Sequence, residues 1–421
     1  MAVTGLARTG NVIFLHPDGT GVQAWTALRM LDVGPDGFLN WDRLPYMANY
    51  RGHLSNALAA TSNGGGSVHA YGVKASTAAF GQEGTVGMVS ASGKPYSIMV
   101  EAKKAGMAIG IVTSATVADA GTGVFLARTD TRRNYTEIAR QMLSHKPEVL
   151  LGGGEAYFLP KGTQGRHGEG IRTDGRNLIQ EAEAMGYTVV YTKDELSRAA
   201  KKAKRILGLF AHEDTFNDES EEKLREQKRP LFVPTAARFD QMTDAAIQIL
   251  ERSGRRFLLV AEEEGTDNFA GDQNARGVLN SLRGADRAVG IARAFQRRKP
   301  NTLVLVASDS NCGGMAVVGE TAEDTPMEKP LPERDSETGS AIDGRDGTAT
   351  PPFWSAPDAE GRRFPFGIAW AGGGDMAAGV VAKAQGLNAN LLGTNVSNRG
   401  MYRLMYRTLF GRWPESKRQG K

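Results

Sequence analysis

The stretch "NVIFLHPDGTG", Asn11 to Gly21, decides the fold. Val12, Ile13, Phe14 and Leu15 form an unbroken apolar run rich in β-branched and aromatic side chains. Alternating polarity would mark a strand with one wet face. Continuous apolarity marks burial on both faces, as in a parallel sheet covered by helices. The run stops at Asp18, held between Pro17 and Gly19. In open parallel sheets, ligands bind beyond the carboxyl ends of the strands. A carboxylate at that end, where a strand has no structural use for one, is a candidate functional group.

The pattern recurs along the chain. Apolar runs of strand length are "AIGIVTS" (108–114), "EVLLGGG" (148–154), "YTVVYT" (187–192), "RILGLFA" (205–211), "FLLVAEE" (257–263), "TLVLVASD" (302–309) and "FGIAWAGGG" (366–374). Helical periodicity fills the intervals: "SIMVEAKKAG" before the second run, "NYTEIARQMLSH" (134–145), "NLIQEAEAMG", residues 277–298, and "GMYRLMYRTLFG" (400–411). Strands alternating with helices predict an α/β fold, a three-layer sandwich around a mostly parallel central sheet. The chain reads as a single domain over 1–421 with two insertions. Residues 155–182 are polar and glycine-rich, and residues 313–362 concentrate turn-forming residues.

Bulk properties exclude several classes. The chain has 421 residues, 23% charged, with a net charge of +4. Acids and bases are interspersed, so there is no nucleic-acid footprint, and no apolar run is long enough to span a membrane. The lone cysteine, Cys312, precludes a disulfide within the chain. The opening "MAVTGLARTG" lacks a secretory pattern, so the expected location is cytoplasmic, or periplasmic or extracellular if a signal peptide has been removed.

Acids gather at the strand ends. Asp18 follows the first run, Asp119 the second, Glu262, Glu263, Glu264 and Asp267 close the sixth, and Asp309 ends the seventh. Any one could be a turn residue, but together they place carboxylates from separate strands on one rim. Clustered carboxylates repel unless a cation offsets them, and oxygen-rich sets suit Mg²⁺, Ca²⁺ or Mn²⁺. Thr61 and Ser62 precede three glycines and a helix-capable stretch. A hydroxyl at a helix N-terminus sits in a field that favours oxyanions, and it is also the ordinary place for a capping Ser or Thr.

With these residues in view, the chain resembles the alkaline phosphatase family. "NVIFLHPDGTG" resembles the family's opening strand and its metal-ligand aspartate, here Asp18. "TSNGGGSVHAYGVKA" resembles the nucleophile segment, with Ser62 on the nucleophilic serine and Thr61, the alternative nucleophile, on the aspartate before it. "GIVTSATVADAGTGVFLARTDTRRN" resembles the segment holding a metal-site acid (Asp119), a metal-site threonine (Thr122, although Gly121 is the ungapped counterpart) and a phosphate-binding arginine (Arg132). "FLLVAEEEGTDNFAGDQNA" places Glu262 on a magnesium-site glutamate and Asp267 on a zinc-site aspartate. "TLVLVASDSNCGG" places Asp309 on a further ligand. The likeness runs in order along nearly the whole chain.

The departures carry information too. The family's zinc sites use three histidines from the second half of the chain, and here none lies beyond His212. Ser310 follows Asp309, and Gly271 or Asp272 stands where the next histidine would be. Asp272 is therefore a candidate replacement ligand. Among the histidines present, His16 stands nearest the chemistry, with His69 and His212 as other candidates. An all-oxygen set favours Mg²⁺ or Ca²⁺ over Zn²⁺. The resemblance implies a metal-dependent phosphomonoesterase acting on small phosphate esters through a phosphorylated Ser62 or Thr61, in a family that is often dimeric. The alternatives are a phosphodiesterase of the same superfamily and a non-catalytic binding protein on the same scaffold.

Overall fold

The computed structural model describes residues 8–319, 334, 342–344, 352–377 and 379–414. Much of the second expected insertion lies outside the described residues. The central sheet has ten strands: β1 (Asn11–Pro17), β2 (Tyr46–Arg51), β3 (Ala108–Thr116), β4 (Val149–Gly153), β5 (Thr188–Val190), β6 (Ile206–Leu209), β7 (Phe257–Glu263), β8 (Thr302–Val306), β9 (Val381–Gly386) and β10 (Asn395–Ser397). Their spatial order is β10-β2-β9-β8-β1-β7-β3-β4-β6-β5. β1 lies between β8 and β7 and pairs with both in parallel. β7 pairs with β3, and β3 with β4, in the same sense. β9 alone turns against its neighbours, running antiparallel to β8 and β2.

The continuous apolar runs have the physical consequence expected of them. In β1, Val12 and Phe14 enter one hydrophobic layer while Ile13 and Leu15 enter the other, because successive strand residues point to opposite faces. The first layer is closed by α2 (Ser62–Tyr71), α3 (Ile98–Lys104), α5 (Tyr135–Ser144), α6 (Leu178–Ala184) and α10 (Asn398–Phe410), in a numbering where α1 is Val22–Val33 and α4 the single turn Ala120–Gly123. The second is closed by α1, α7 (Phe239–Arg252) and α9 (Ala275–Arg298), with α8 (Gly265–Gly271) leading into α9. Each fully buried Leu, Ile, Val or Phe contributes about 1.5–3 kcal/mol, so both faces drive the three-layer arrangement. Among the described residues, no helix is long and apolar enough to cross a membrane.

Two strand expectations change. The run "FGIAWAGGG" is a strand only at Pro365–Ala369, and it lies in a separate four-stranded sheet, antiparallel to Ala316–Gly319, Ile342–Asp343 and Phe353–Trp354. Continuous apolarity reports burial, and this strand is buried without a parallel partner. Conversely, β2, β9 and β10 belong to the central sheet although their sequences, such as "YMANYR" and "VAKAQG", carry polar and exposed positions that hide them from a search for apolar runs.

Candidate metal centre

The carboxyl ends of β1, β7 and β3 are adjacent, and the loops leaving them deliver the acids to one place. Three ligand groups have atoms all within 4.8 Å of one another: His16, Asp18 and Asp309; Asp18, Glu262 and Glu264; and Asp267, Cys312 and Asp375. Asp18 belongs to two of them. Pleating sorts the "EEE" run. Glu262 faces this cluster, whereas Glu263 points into the opposite layer, where Ser114 Oγ donates to it at 2.6 Å.

Glycines make the approach feasible. A Cβ on Gly121 would stand 1.8 Å from Glu262 Oε1, one on Gly65 2.5 Å from Asp309 Oδ2, and one on Gly19 2.3 Å from Asp267 Oδ1. Gly19 also has φ +58°, a left-handed conformation that favours glycine. The glycines after Ser62 are thus helical, not a flexible loop: they let α2 lie directly on the carboxylates.

Most of the acids have no partner for at least one oxygen. Asp18 Oδ2, Asp119 Oδ2, Glu262 Oε1, Glu264 Oε2 and both oxygens of Asp309 are buried without a hydrogen bond, as is Thr122 Oγ1. Orphaned buried carboxylate oxygens cost several kcal/mol unless a cation or proton meets them. The titration directions say the same. Burial, then the charge of Asp18, pushes Glu262, Asp267 and Asp309 well above the usual carboxylate range. Burial, then Asp119, does so for Glu264. Asp375 is pushed up to about 6, burial being the largest cause. Only Asp18 is held low: burial opposes this, and His16 and Asp309 beside it together with the Gly19 amide outweigh burial. A set of acids that cannot all ionise alone is the donor set of a cation site, so the residues fit divalent metal.

The hydroxyl and the arginine lie at the edge of this cluster. Thr61 caps α2: its Oγ1 accepts from Gly64 N at 3.3 Å and donates to Thr77 O at 2.8 Å. Ser62 begins the helix, with Oγ 3.5 Å from Arg132 Nη1. Arg132 Nη2 stands 3.4 Å from Asp119 Oδ1, and that carboxylate raises the guanidinium's pKa further, against burial.

Of the residues singled out from sequence, Asp18, Glu262, Asp267 and Asp309 fall within the three groups, and Ser62, Arg132 and Asp119 form a chain of contacts beside them. Thr122 is buried on α4, three residues after Asp119. Asp272 is not brought in: it is exposed at the C-terminus of α8, and its field comes from Asp218, Glu219 and Lys223. Five residues along a helix rotate it by about 140° from Asp267, which removes it from that face. Cys312 and Asp375 take its place beside Asp267, joined by the two-residue ladder Asn311–Cys312 against Asp375–Met376. Ser310 Oγ donates to Asp375 at 2.6 Å. Asp375 carried the same signal as the other acids, a lone carboxylate just past an apolar run. Cys312 carried none. His212 is away from the cluster, against Gly168, and His69 Nε2 is 2.7 Å from the Tyr50 hydroxyl.

Comparison with known proteins agrees with this geometry. The family model described as alkaline phosphatase matches residues 9–340. The alkaline phosphatase of Gadus morhua is 31% identical over 346 residues, covering 72% of this chain and 69% of the cod protein. The chain belongs to the alkaline phosphatase family. The streptomycin-6-phosphate phosphatase of Streptomyces griseus is 30% identical over 354 residues, 73% of this chain and 74% of that protein. Among solved structures, the Thermus thermophilus alkaline phosphatase superposes with TM-score 0.74 at 22% identity, over 97% of this chain and 95% of that one. The alkaline phosphatase of the Antarctic bacterium TAB5 gives TM-score 0.71 at 20% identity, over 98% and 100%. Those two likenesses speak for the alkaline phosphatase fold. Within that fold the candidate ligand groups are atypical: His16, Asp18 and Asp309, with one histidine from the first half of the chain, offer ligand atoms within 4.8 Å of one another.

Proposed function

We propose that this chain is a metal-dependent phosphomonoesterase that passes through a phosphorylated Ser62. The observation that carries the reading is a set of buried carboxylates with unpartnered oxygens, bordered by one helix-terminal hydroxyl and one guanidinium. Asp18 and Asp309 would hold one divalent ion, Asp18, Glu262 and Glu264 another position, and Asp267 with Cys312 and Asp375 a third. Bound metal would supply positive charge to the attacking and leaving oxygens of an in-line displacement.

The protein's own groups do the rest. Ser62, not Thr61, is the nucleophile, because the Thr61 hydroxyl is committed to its cap and to Thr77. The Ser62 hydroxyl releases its proton to solvent as its Oγ–P bond forms and the ester P–O bond breaks, and the departing alkoxide takes up a proton from solvent. Arg132 offers two N–H groups to the non-bridging phosphoryl oxygens. It is positioned by Asp119, which fixes the plane of the fork. The N-terminus of α2 presents the positive end of its dipole to the same oxygens. Water then attacks phosphorus, the Oγ–P bond breaks, a proton returns to Ser62 Oγ from the water or solvent, and phosphate departs. Little covalent machinery is needed beyond such positioning and charge.

The test is hydrolysis of p-nitrophenyl phosphate after chelation and add-back of Mg²⁺, Ca²⁺, Mn²⁺ or Zn²⁺, with bis-p-nitrophenyl phosphate as the diester control. Ser62→Ala should lower kcat on the order of 10³-fold or more, as removal of a nucleophile does. Equal turnover by Ser62→Ala would end the mechanism, and no turnover with any ion would end the enzymatic reading.

A further inference from the structure

We infer that His16 is a metal ligand, so that the ion shared by Asp18 and Asp309 is bound through nitrogen as well as oxygen. This deepens the phosphatase reading and rests on it for the presence of an ion. His16 is 3% exposed. Its Nδ1 lies 2.7 Å from the carbonyl oxygen of Ala307. A carbonyl only accepts, so Nδ1 carries the hydrogen, and in the neutral ring the lone pair is on Nε2. Nε2 points to the acids: it is 3.3 Å from Asp18 Oδ1, yet that contact is not aligned as a hydrogen bond and the atom is left without a partner. Asp18 Oδ2 and both oxygens of Asp309 are unpartnered beside it. The three residues offer ligand atoms within 4.8 Å of one another.

A histidine whose far nitrogen is fixed on a backbone carbonyl, with its near nitrogen free among orphaned carboxylate oxygens, has the arrangement of a ligating imidazole. Were it an imidazolium pairing with Asp18, Nε2–H would be directed along that contact. The ring is also held in place. Phe14 packs at 5.7 Å between centroids and His69 edge-on at 5.4 Å. His69 Nε2, by contrast, is engaged with the Tyr50 hydroxyl. The ligand reaches the site from β1, two residues before Asp18.

The consequence is a different preference among ions. One imidazole with two carboxylates suits Zn²⁺, Mn²⁺ or Co²⁺ better than the hard ions Mg²⁺ and Ca²⁺ favoured by oxygen alone. The experiment uses full-length protein with ¹⁵N-labelled histidine, stripped of metal and reloaded with ¹¹³Cd²⁺. Of the six histidines, one ring nitrogen should show scalar coupling to cadmium, and the coupling should vanish in His16→Gln. His16→Asp, which restores an oxygen donor, should keep metal content while shifting competition from Zn²⁺ toward Mg²⁺ by about tenfold or more. Stoichiometric cadmium with no coupled imidazole, or coupling that survives His16→Gln, overturns the assignment and leaves the phosphatase reading intact. Failure of the native protein to take up any ion overturns the phosphatase reading itself.

Discussion

Gly121→Ala is the sharpest single perturbation of the proposed centre. The added Cβ would sit 1.8 Å from Glu262 Oε1, where real contacts do not fall below 3.0 Å. One of the two must therefore retreat by about 1.2 Å. The backbone cannot easily do so: a Cβ on Gly66 would already be 2.9 Å from Gly121 O and 3.3 Å from its Cα, so α2 and α4 are in close contact there. Glu262 can move, because one oxygen is held only by Thr113 Oγ1 at 3.2 Å and the other by nothing. Overpacking of this kind costs about 1–3 kcal/mol of stability. A displacement near 1 Å in a reacting constellation costs about 10²-fold in rate, or about 2.7 kcal/mol at the transition state. Gly121→Ala should thus remain folded by circular dichroism, bind less metal by elemental analysis, and lose about 10²-fold in kcat/KM on p-nitrophenyl phosphate. A variant with native metal content and activity within twofold would show that Glu262 has no part in the centre.

Four further outcomes are expected. Thr61→Ala should lower stability by about 1 kcal/mol through loss of the cap, read by thermal denaturation, while Ser62 is still phosphorylated; loss of the phosphoserine would move the nucleophile to Thr61. Arg132→Lys should raise KM and lower kcat/KM by about tenfold, since an ammonium cannot make the paired N–H contacts of the fork; unchanged kinetics would remove the arginine from phosphate binding. Asp272→Asn should leave kcat/KM within twofold, and a larger loss would return it to the ligand set. Asp214 titrates at about 7 rather than 3.8, raised by burial and then by Asp119, with the Thr116 amide opposing. Its folded pKa is the higher one, so its contribution to stability is complete below 3.8 and is lost as pH rises through about 7. Metal-free native protein should lose stability across that interval, and metal-free Asp214→Asn should lose less; parallel curves would refute the assignment.

The sheet was legible because its driving force is written locally. Val12 to Leu15 must be buried on both faces whatever surrounds them, and the same holds for Leu258–Ala261 and Leu303–Val306. β9 was not legible for the opposite reason. It pairs antiparallel at the rim of the parallel block, and Lys383 within it is buried but donates to the Asp42 carbonyl at 3.0 Å, a long-range contact that composition does not announce. The acids divide in the same way. Asp18, Glu262 and Asp309 sit directly at the ends of apolar strands, so chain position alone fixes where they go. Asp267 and Asp375 depend on how a helix turn and a short ladder fold back.

Asp272 lies apart from the ligand groups because a single step of sequence spacing becomes a rotation of about 100° on a helix. That difference matters beyond bookkeeping. Sequence offered an acid for the position beside Asp267, implying an all-oxygen site for a hard cation. The structure puts Cys312 there and His16 at the neighbouring position, one soft donor and one borderline donor. If both ligate, the site is not an all-oxygen one. Selectivity for metal would then be set by two residues, His16 and Cys312, that strand-end acids could not reveal.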